Sequence, residues 1–231
     1  MKILSIDTAS NICSVSILDD YNLIKEISID DLKTHSEKLM PMIEEIFNKT
    51  NLSLNDINLI VCDKGPGSFT GIRIGVATAM SFLDTLEIPS IGVSSLEALA
   101  YNEKNEGLIC SLIDANNSNV YFSLYELKDN IYSLKEDYCC KNINEIVSLL
   151  SKYTSSITFV GDGSINYKDL IIQSIPNSKF SAKNFLSSYS LGLAGYSKYL
   201  SNNFQDLIPL YLRKSQAERA LEEKENGNKN N

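Results

Sequence analysis

The sequence holds a single histidine, and that scarcity removes whole classes of chemistry. A catalytic metal site usually takes three protein ligands drawn from His, Asp, Glu or Cys, and His35 has no second histidine four residues away. Two readings remain for it: a solvent-facing or capping residue beside Thr34, or part of a contact surface. The five cysteines (Cys13, Cys62, Cys110, Cys139, Cys140) give neither an even disulfide count nor a Cys-x-x-Cys pair. They read as reduced structural thiols, with no zinc knuckle. Positive charge is also short, with 21 basic residues against 29 acidic ones and a net charge of -8. Such a chain repels phosphate backbones and is expected to bind RNA poorly by itself. No apolar run approaches the ~20 residues of a membrane helix. Met1 to Asp7 meets an acidic residue too early for a secretory signal, so the expectation is a cytoplasmic protein.

What is present is a repeated order of elements. Apolar and β-branched residues predict strands over Lys2 to Asp7, Ile12 to Leu18 and Leu23 to Ile29, parted by the turn pairs Ser10-Asn11 and Asp19-Asp20. Thr34 and Glu37 form a candidate capping box, followed by Leu39, Ile43, Ile46 and Phe47 at helical spacing, with Pro41 expected to kink that helix. Then come a strand over Ile57 to Cys62, a helix from Ser68 to Leu86, a strand over Ser90 to Val93 and a helix opened by Ser94 with Glu97 as a second capping box. The second half predicts strands over Leu108 to Asp114, Val120 to Leu127 and Ile131 to Asp137, then a helix over Ile143 to Tyr153. A strand over Ile157 to Gly161, a helix over Tyr167 to Ile175, a short strand near Lys179 and a helix over Leu186 to Leu200 follow. The order β-β-β-α-β-α-β-α thus occurs twice, and Ile6-Asp7-Thr8-Ala9 and Ile113-Asp114-Ala115-Asn116 each close the first strand of a half. The expected fold is α/β, a duplicated ribonuclease-H-like two-lobe arrangement resembling the actin, sugar-kinase and heat-shock ATPase superfamily. Its lobes span 1–105 and 106–212, with a polar tail, 213–231, too hydrophilic to fold alone.

One stretch stands apart: Gly65-Pro66-Gly67-Ser68-Phe69-Thr70-Gly71-Ile72-Arg73-Ile74-Gly75, between a predicted strand and a predicted helix. Gly65 and Gly67 permit tight turns, Pro66 stiffens the loop, and Ser68 can cap the helix. A free helix start attracts anions, yet this is no P-loop, because Thr70-Gly71-Ile72 stands where Gly-Lys-Ser/Thr is required. The Rossmann spacing is missed by one residue.

This run is similar to the signature of the TsaB family, also called YeaZ. Ile6-Asp7-Thr8-Ala9, His35-Ser36-Glu37-Lys38-Leu39-Met40-Pro41, Ile91-Gly92-Val93-Ser94-Ser95-Leu96, Ile113-Asp114-Ala115 and Tyr211-Leu212-Arg213 follow in the family's order, so the resemblance covers nearly the whole chain. Asn116 and Asn119 depart from it, standing where many relatives have Arg and Glu. The resemblance implies a non-catalytic subunit needed to transfer threonylcarbamoyl from threonylcarbamoyl-adenylate to the adenosine beside the anticodon of tRNAs that read codons starting with A. The transferase is TsaD, a paralogue whose metal is held partly by a His-x-x-x-His pair, which this chain lacks. TsaE, an ATPase, joins as a third protein. tRNA is met only through the complex, and a homodimer is expected as the alternative when TsaD is absent.

The resemblance also implies docking through the first two long helices, which fits their composition. Gly71, Gly75 and Ala79 lie four apart on one ridge, where another helix could approach closely, and Ile72, Val76, Met80 and Leu83 flank them. With Leu39, Met42, Ile43, Ile46 and Phe47 they form the expected partner-binding set; the alternative is ordinary intradomain core. No cofactor is expected. Nucleotide-binding relatives carry Asp-x-Gly-Thr in the first hairpin, and Asp7-Thr8-Ala9-Ser10-Asn11 lacks that glycine. Asp7, Thr8 and Ser10 are the residual candidates, with Asp7 either holding a hydrated magnesium ion or capping its own turn. A small-molecule kinase of the same fold is the rival reading and would rely on Asp7 and Asp114. A protease is disfavoured, because Ser68 has no oriented base. A self-associating module would share the same surface.

Overall fold

The computed structural model describes residues 1–30, 35–204 and 206–213. The first half runs β1 (Lys2–Asp7), β2 (Ile12–Asp19), β3 (Asn22–Asp30), α1 (His35–Thr50), β4 (Leu59–Asp63), α2 (Phe69–Leu86), β5 (Ser90–Val93) and α3 (Ser95–Ala100). The second runs β6 (Gly107–Asp114), β7 (Asn119–Lys128), β8 (Ile131–Asn142), α4 (Ile143–Leu150), β9 (Ile157–Val160), α5 (Asp162–Asn166), α6 (Lys168–Ser174), β10 (Ser178–Phe180) and α7 (Ser188–Leu200). The first sheet is ordered β3-β2-β1-β4-β5 and the second, read from its other edge, β8-β7-β6-β9-β10. In each, the first strand pairs antiparallel with the hairpin strand and parallel with the strand after the first helix. The duplication read from the sequence is therefore a duplication of sheet topology.

Coverage of both sheet faces explains the strand composition. β1 is buried from Ile3 to Asp7, as a central strand must be when helices lie on either side. On one face, α1 and α2 close a core containing Leu4, Ile6, Val15, Ile46, Ile60 and Ile72. On the other, α7 packs against Ile3, Leu18, Val61 and Ile91. The serines that alternate along β1 and β2 are small because α7 comes close: a Cβ on Gly192 would lie 3.3 Å from Ser5 Cβ, and Ser14 Oγ accepts the Ser188 amide at 3.1 Å. α4 and α6 cover the outer face of the second sheet around Phe122, Phe159 and Ile171. α3 covers its inner face with Leu99 and Ala100 against Ile109, Tyr125 and Val160. Each half thus sends its last helix into the middle layer, where α3 meets α7.

Several sequence expectations shift at their edges. A short helix, α5, precedes the one expected at Tyr167; β8 runs five residues past Asp137, to Asn142, which caps α4; and α4 stops at Leu150. α1 continues as helix through Pro41, whose ring is exposed. The capping box at Thr34 lies outside the described residues. The one at Ser94 is half formed: Ser94 Oγ accepts the Leu96 amide at 3.2 Å, whereas Glu97 turns instead to Lys198 Nζ of α7 at 2.9 Å. Arg213, assigned to the polar tail, reaches back to the second lobe, its Nη1 donating to the Ala115 carbonyl. Residues 214–231 of that tail lie outside the described residues.

Candidate functional site

The glycine-rich stretch is seated against the β1–β2 hairpin. The Ser68 amide donates to the Ala9 carbonyl at 2.7 Å, Thr8 Oγ1 donates to the Gly71 carbonyl at 2.7 Å, and Ser68 Oγ accepts the Gly71 amide at 3.2 Å. The approach is closer than any side chain allows. A Cβ at Gly67 would stand 2.1 Å from Ala9 O, and one at Gly71 would stand 1.9 Å from Thr8 O. The start of α2, where an anion would ordinarily be drawn, is therefore filled by hairpin carbonyls and its own cap. The three residual cofactor candidates are engaged in the same junction. Asp7 Oδ1 accepts the Ala9 amide at 2.9 Å, Thr8 holds Gly71, and Ser10 Oγ bonds Ile12 within the turn. His35, half-buried, joins the hairpin as well, its Nε2 donating to Ser10 O at 2.8 Å.

A strap over the loop links the two lobes. Leu207 is buried in the first core, and the Leu210 amide donates to Lys64 O at 2.7 Å. Tyr211 stacks on Phe69 with ring centres 4.7 Å apart, and its hydroxyl accepts Arg73 Nε at 2.8 Å. Leu212 then packs with Leu96, Ala115 and Tyr121. Between the lobes lies a cleft of about 630 Å³ lined by Ser10, Ser68, Asp114, Asp162, Asn166 and Arg213 among others. Asp114 caps its own turn through the Asn116 amide at 2.8 Å, and its other oxygen accepts Asn166 Nδ2 at 2.8 Å. Burial holds the Asp162 carboxyl above the usual range. Asn116 and Asn119 shape the β6–β7 hairpin: Asn116 takes the left-handed conformation (φ 61°), and Asn119 Nδ2 donates to the Asn117 carbonyl at 3.1 Å. Among the described residues, no group of three or more His, Cys, Asp or Glu is placed to hold a metal ion.

The helical face divides in a way the sequence did not resolve. Leu39, Met42, Ile43 and Ile46 of α1, with Ile72, Gly75, Val76 and Ala79 of α2, are buried in the lobe's own core. The ridge of small residues faces inward, since a Cβ on Gly75 would meet Thr8 Oγ1 at 2.4 Å. Phe47 and Leu83 are half-buried, and Met80 is 44% exposed. Outside this core lies a shallow apolar groove of about 480 Å³, lined by Met40, Pro41, Ile43, Glu44, Phe47, Leu54 and Phe82. Met40, at 51% exposure, Pro41, Leu54 and Phe82 were not anticipated. A signal for part of it was present: Met40, Ile43, Glu44 and Phe47 are spaced i, i+3, i+4 and i+7, a second stripe beside the buried one.

Taken together, two repeated sheets, helices exchanged into a middle layer and a cleft between lobes define the duplicated α/β class that includes actin-like ATPases and sugar kinases. A hexokinase of the ROK group from Thermus thermophilus superposes with a TM-score of 0.54 at 10% identity, covering 87% of this chain and 100% of its own. YeaZ from Pseudomonas aeruginosa superposes with a TM-score of 0.74 at 23% identity, covering 91% of this chain and 99% of its own. The family model described as "TsaD: tRNA N6-adenosine threonylcarbamoyltransferase" matches residues 27–221. The tRNA threonylcarbamoyladenosine biosynthesis protein TsaB of Bacillus subtilis is 31% identical over 224 residues, 94% of this chain and 96% of that protein. The chain belongs to the TsaB (YeaZ) family.

Proposed function

We propose that this chain is a non-catalytic subunit of the cytoplasmic machinery that makes threonylcarbamoyladenosine in tRNA, binding TsaD through α1 and α2 and holding it in an active form. TsaE joins this pair, threonylcarbamoyl-adenylate is the donor, and tRNA is met through the complex. The observation that carries the reading is the apolar groove on the outer side of α1 and α2; Met80 of α2 is exposed as well, and Leu83 half-buried. Exposed thioethers beside half-buried aromatic rings suit a partner helix, because Met packs adaptably and its burial is favourable. Several further observations support a binding role over phosphoryl transfer: the filled α2 start, the engagement of Asp7 and Thr8, and the single histidine already bonded to Ser10. The division into lobes at 1–105 and 106–212 belongs to the same reading, with the docking helices on the first.

Reconstitution tests it. TsaD and TsaE with donor and tRNA should form threonylcarbamoyladenosine only when this chain is added; full modification without it ends the proposal. Val76→Glu would test folding, since Val76 is buried. Met40→Glu and Met80→Glu lie outside the core and are expected to leave the thermal midpoint unchanged while abolishing co-elution with TsaD. Retained co-elution of both variants would move the interface elsewhere.

A further inference from the structure

β1 and β4 run parallel in a register that pairs Ile6 with Cys62, so the next residues, Asp7 and Asp63, leave the sheet side by side. Both are essentially inaccessible, at 1% and 0% exposure. Each uses one oxygen on a neighbouring backbone. Asp7 Oδ1 accepts the Ala9 amide at 2.9 Å, while Asp63 Oδ1 accepts the Gly65 amide at 2.6 Å and Ser95 Oγ at 2.7 Å. Each leaves its Oδ2 buried without a hydrogen-bond partner, and each acid is close enough to act on the other, so a bond between the two side chains is the one open to them. Two carboxylates cannot form that bond, because both only accept, and adjacent unpaired negative charges are costly to bury. A single proton removes both difficulties: one acid donates, the other accepts, and each orphaned oxygen gains its partner.

We infer that Asp7 and Asp63 hold one proton between them in the native protein at neutral pH, Asp7 donating, and that this bond fastens the β1–β2 hairpin to the glycine loop that seats α2. The surroundings favour keeping it. From β3, Glu26 acts on Asp7 as a further negative charge. From β2 and β4, the Cys13 and Cys62 thiols are pushed up chiefly by burial, Cys13 to about 12, and are neutral; Lys38 of α1 acts on Cys13. α3 contributes the Ser95 hydroxyl, and α2 meets the junction through Gly71 and Gly75 against Thr8. A divalent cation would need further oxygen ligands, and no third His, Cys, Asp or Glu among the described residues completes such a set.

Burial raises both carboxyls, and the Asp63 charge raises Asp7 further. The native pair therefore binds more protons than the same residues unfolded, whose ordinary value is 3.8. Its contribution to stability is complete below that value and is lost as pH rises, first through about 7 at Asp63 and then further as Asp7 ionises.

Infrared spectroscopy of the full chain at neutral pH tests the shared proton directly. The difference between wild type and Asp7→Asn should contain a protonated carboxylic carbonyl band, because an Asn at this position still donates to Asp63 but has no acid proton. The denaturant midpoint of wild type should fall between about pH 4 and about pH 8, and the double variant Asp7→Asn/Asp63→Asn should be flatter over the same range. A difference spectrum without that band overturns the inference even if neither variant folds well enough for titration, since wild type alone must then lack the acid. Equal pH slopes in wild type and a folded double variant overturn it as well.

Discussion

A methyl group added to Gly71 would sit 1.9 Å from the Thr8 carbonyl oxygen, a backbone atom that cannot rotate away. Gly71→Ala is therefore expected to cost roughly 2–3 kcal/mol, the upper range for forced overpacking, as a lowered urea midpoint with unchanged slope. A loss within ~0.5 kcal/mol, the ordinary surface range, would mean that the hairpin yields. The same geometry explains why the glycine run was legible as a motif but not as a mechanism. Its spacing departs from two nucleotide-binding loops, and the object that approaches it is another part of the chain. His35 shows the limit from the other side: no local pattern indicates that its ring meets Ser10, 25 residues earlier. Tyr211 is similar. Its stack on Phe69 and its bond from Arg73 join residues more than 130 positions apart.

Helices declare their length through periodicity more readily than they declare their orientation. α2 begins at the cap expected for it, Ser68, and ends at Leu86, where Glu87 takes a left-handed conformation (φ 56°). Being apolar on most sides, it gave no indication of which stripe meets the sheet, and the small-residue ridge, open in the sequence to a partner helix or to the lobe's own core, faces Thr8. α5 was missed because five residues entered from Gly161 (φ 105°) carry too little periodicity to register. α7 shows how an element can depend on a distant one. At its start the Glu26 carboxylate of β3 accepts from Ser187 Oγ at 2.8 Å, Ser188 Oγ at 2.9 Å and the Tyr189 amide at 3.1 Å. A negative group at a helix start complements both the unpaired amides and the dipole. Glu26→Ala is expected to lower stability by about 1–2 kcal/mol at low salt, with faster amide hydrogen exchange in the first turn of α7. Unchanged protection there would leave the cap to Ser187 alone.

At the level of the whole molecule, the joint between the halves is the middle layer. Glu97 of α3 and Lys198 of α7 meet at 2.9 Å with side chains 9% and 10% exposed, and the Tyr138 hydroxyl lies 3.5 Å from Glu97. Burial raises the Glu97 carboxyl, and the Lys198 charge opposes that shift. Removing the cation leaves the buried carboxylate with only the Tyr138 hydroxyl and the Lys64 charge acting on it, and breaking a buried pair typically costs 3–5 kcal/mol. Lys198→Met is therefore expected to lose about 3 kcal/mol at neutral pH and less in acid. The sign follows from linkage: with its native value raised further, Glu97 takes up a proton as pH falls, relieving the charge, and the deficit grows as pH rises. Thermal unfolding of wild type and variant across pH measures it, and a constant difference would show that Glu97 stays ionised throughout.

The sequence by itself determined the repeat, most strand and helix limits and the lack of a His-x-x-x-His pair, because these rest on local spacing and on residue supply. Packing alone decided the rest. It turned the small-residue ridge of α2 onto the hairpin, opened the groove of Met40, Pro41, Phe47 and Phe82 beside the buried stripe, and sent α3 and α7 between the two sheets. The physical reason is that a hydrophobic pattern states that a face must be covered, whereas what covers it depends on distant chain segments arriving at the same place.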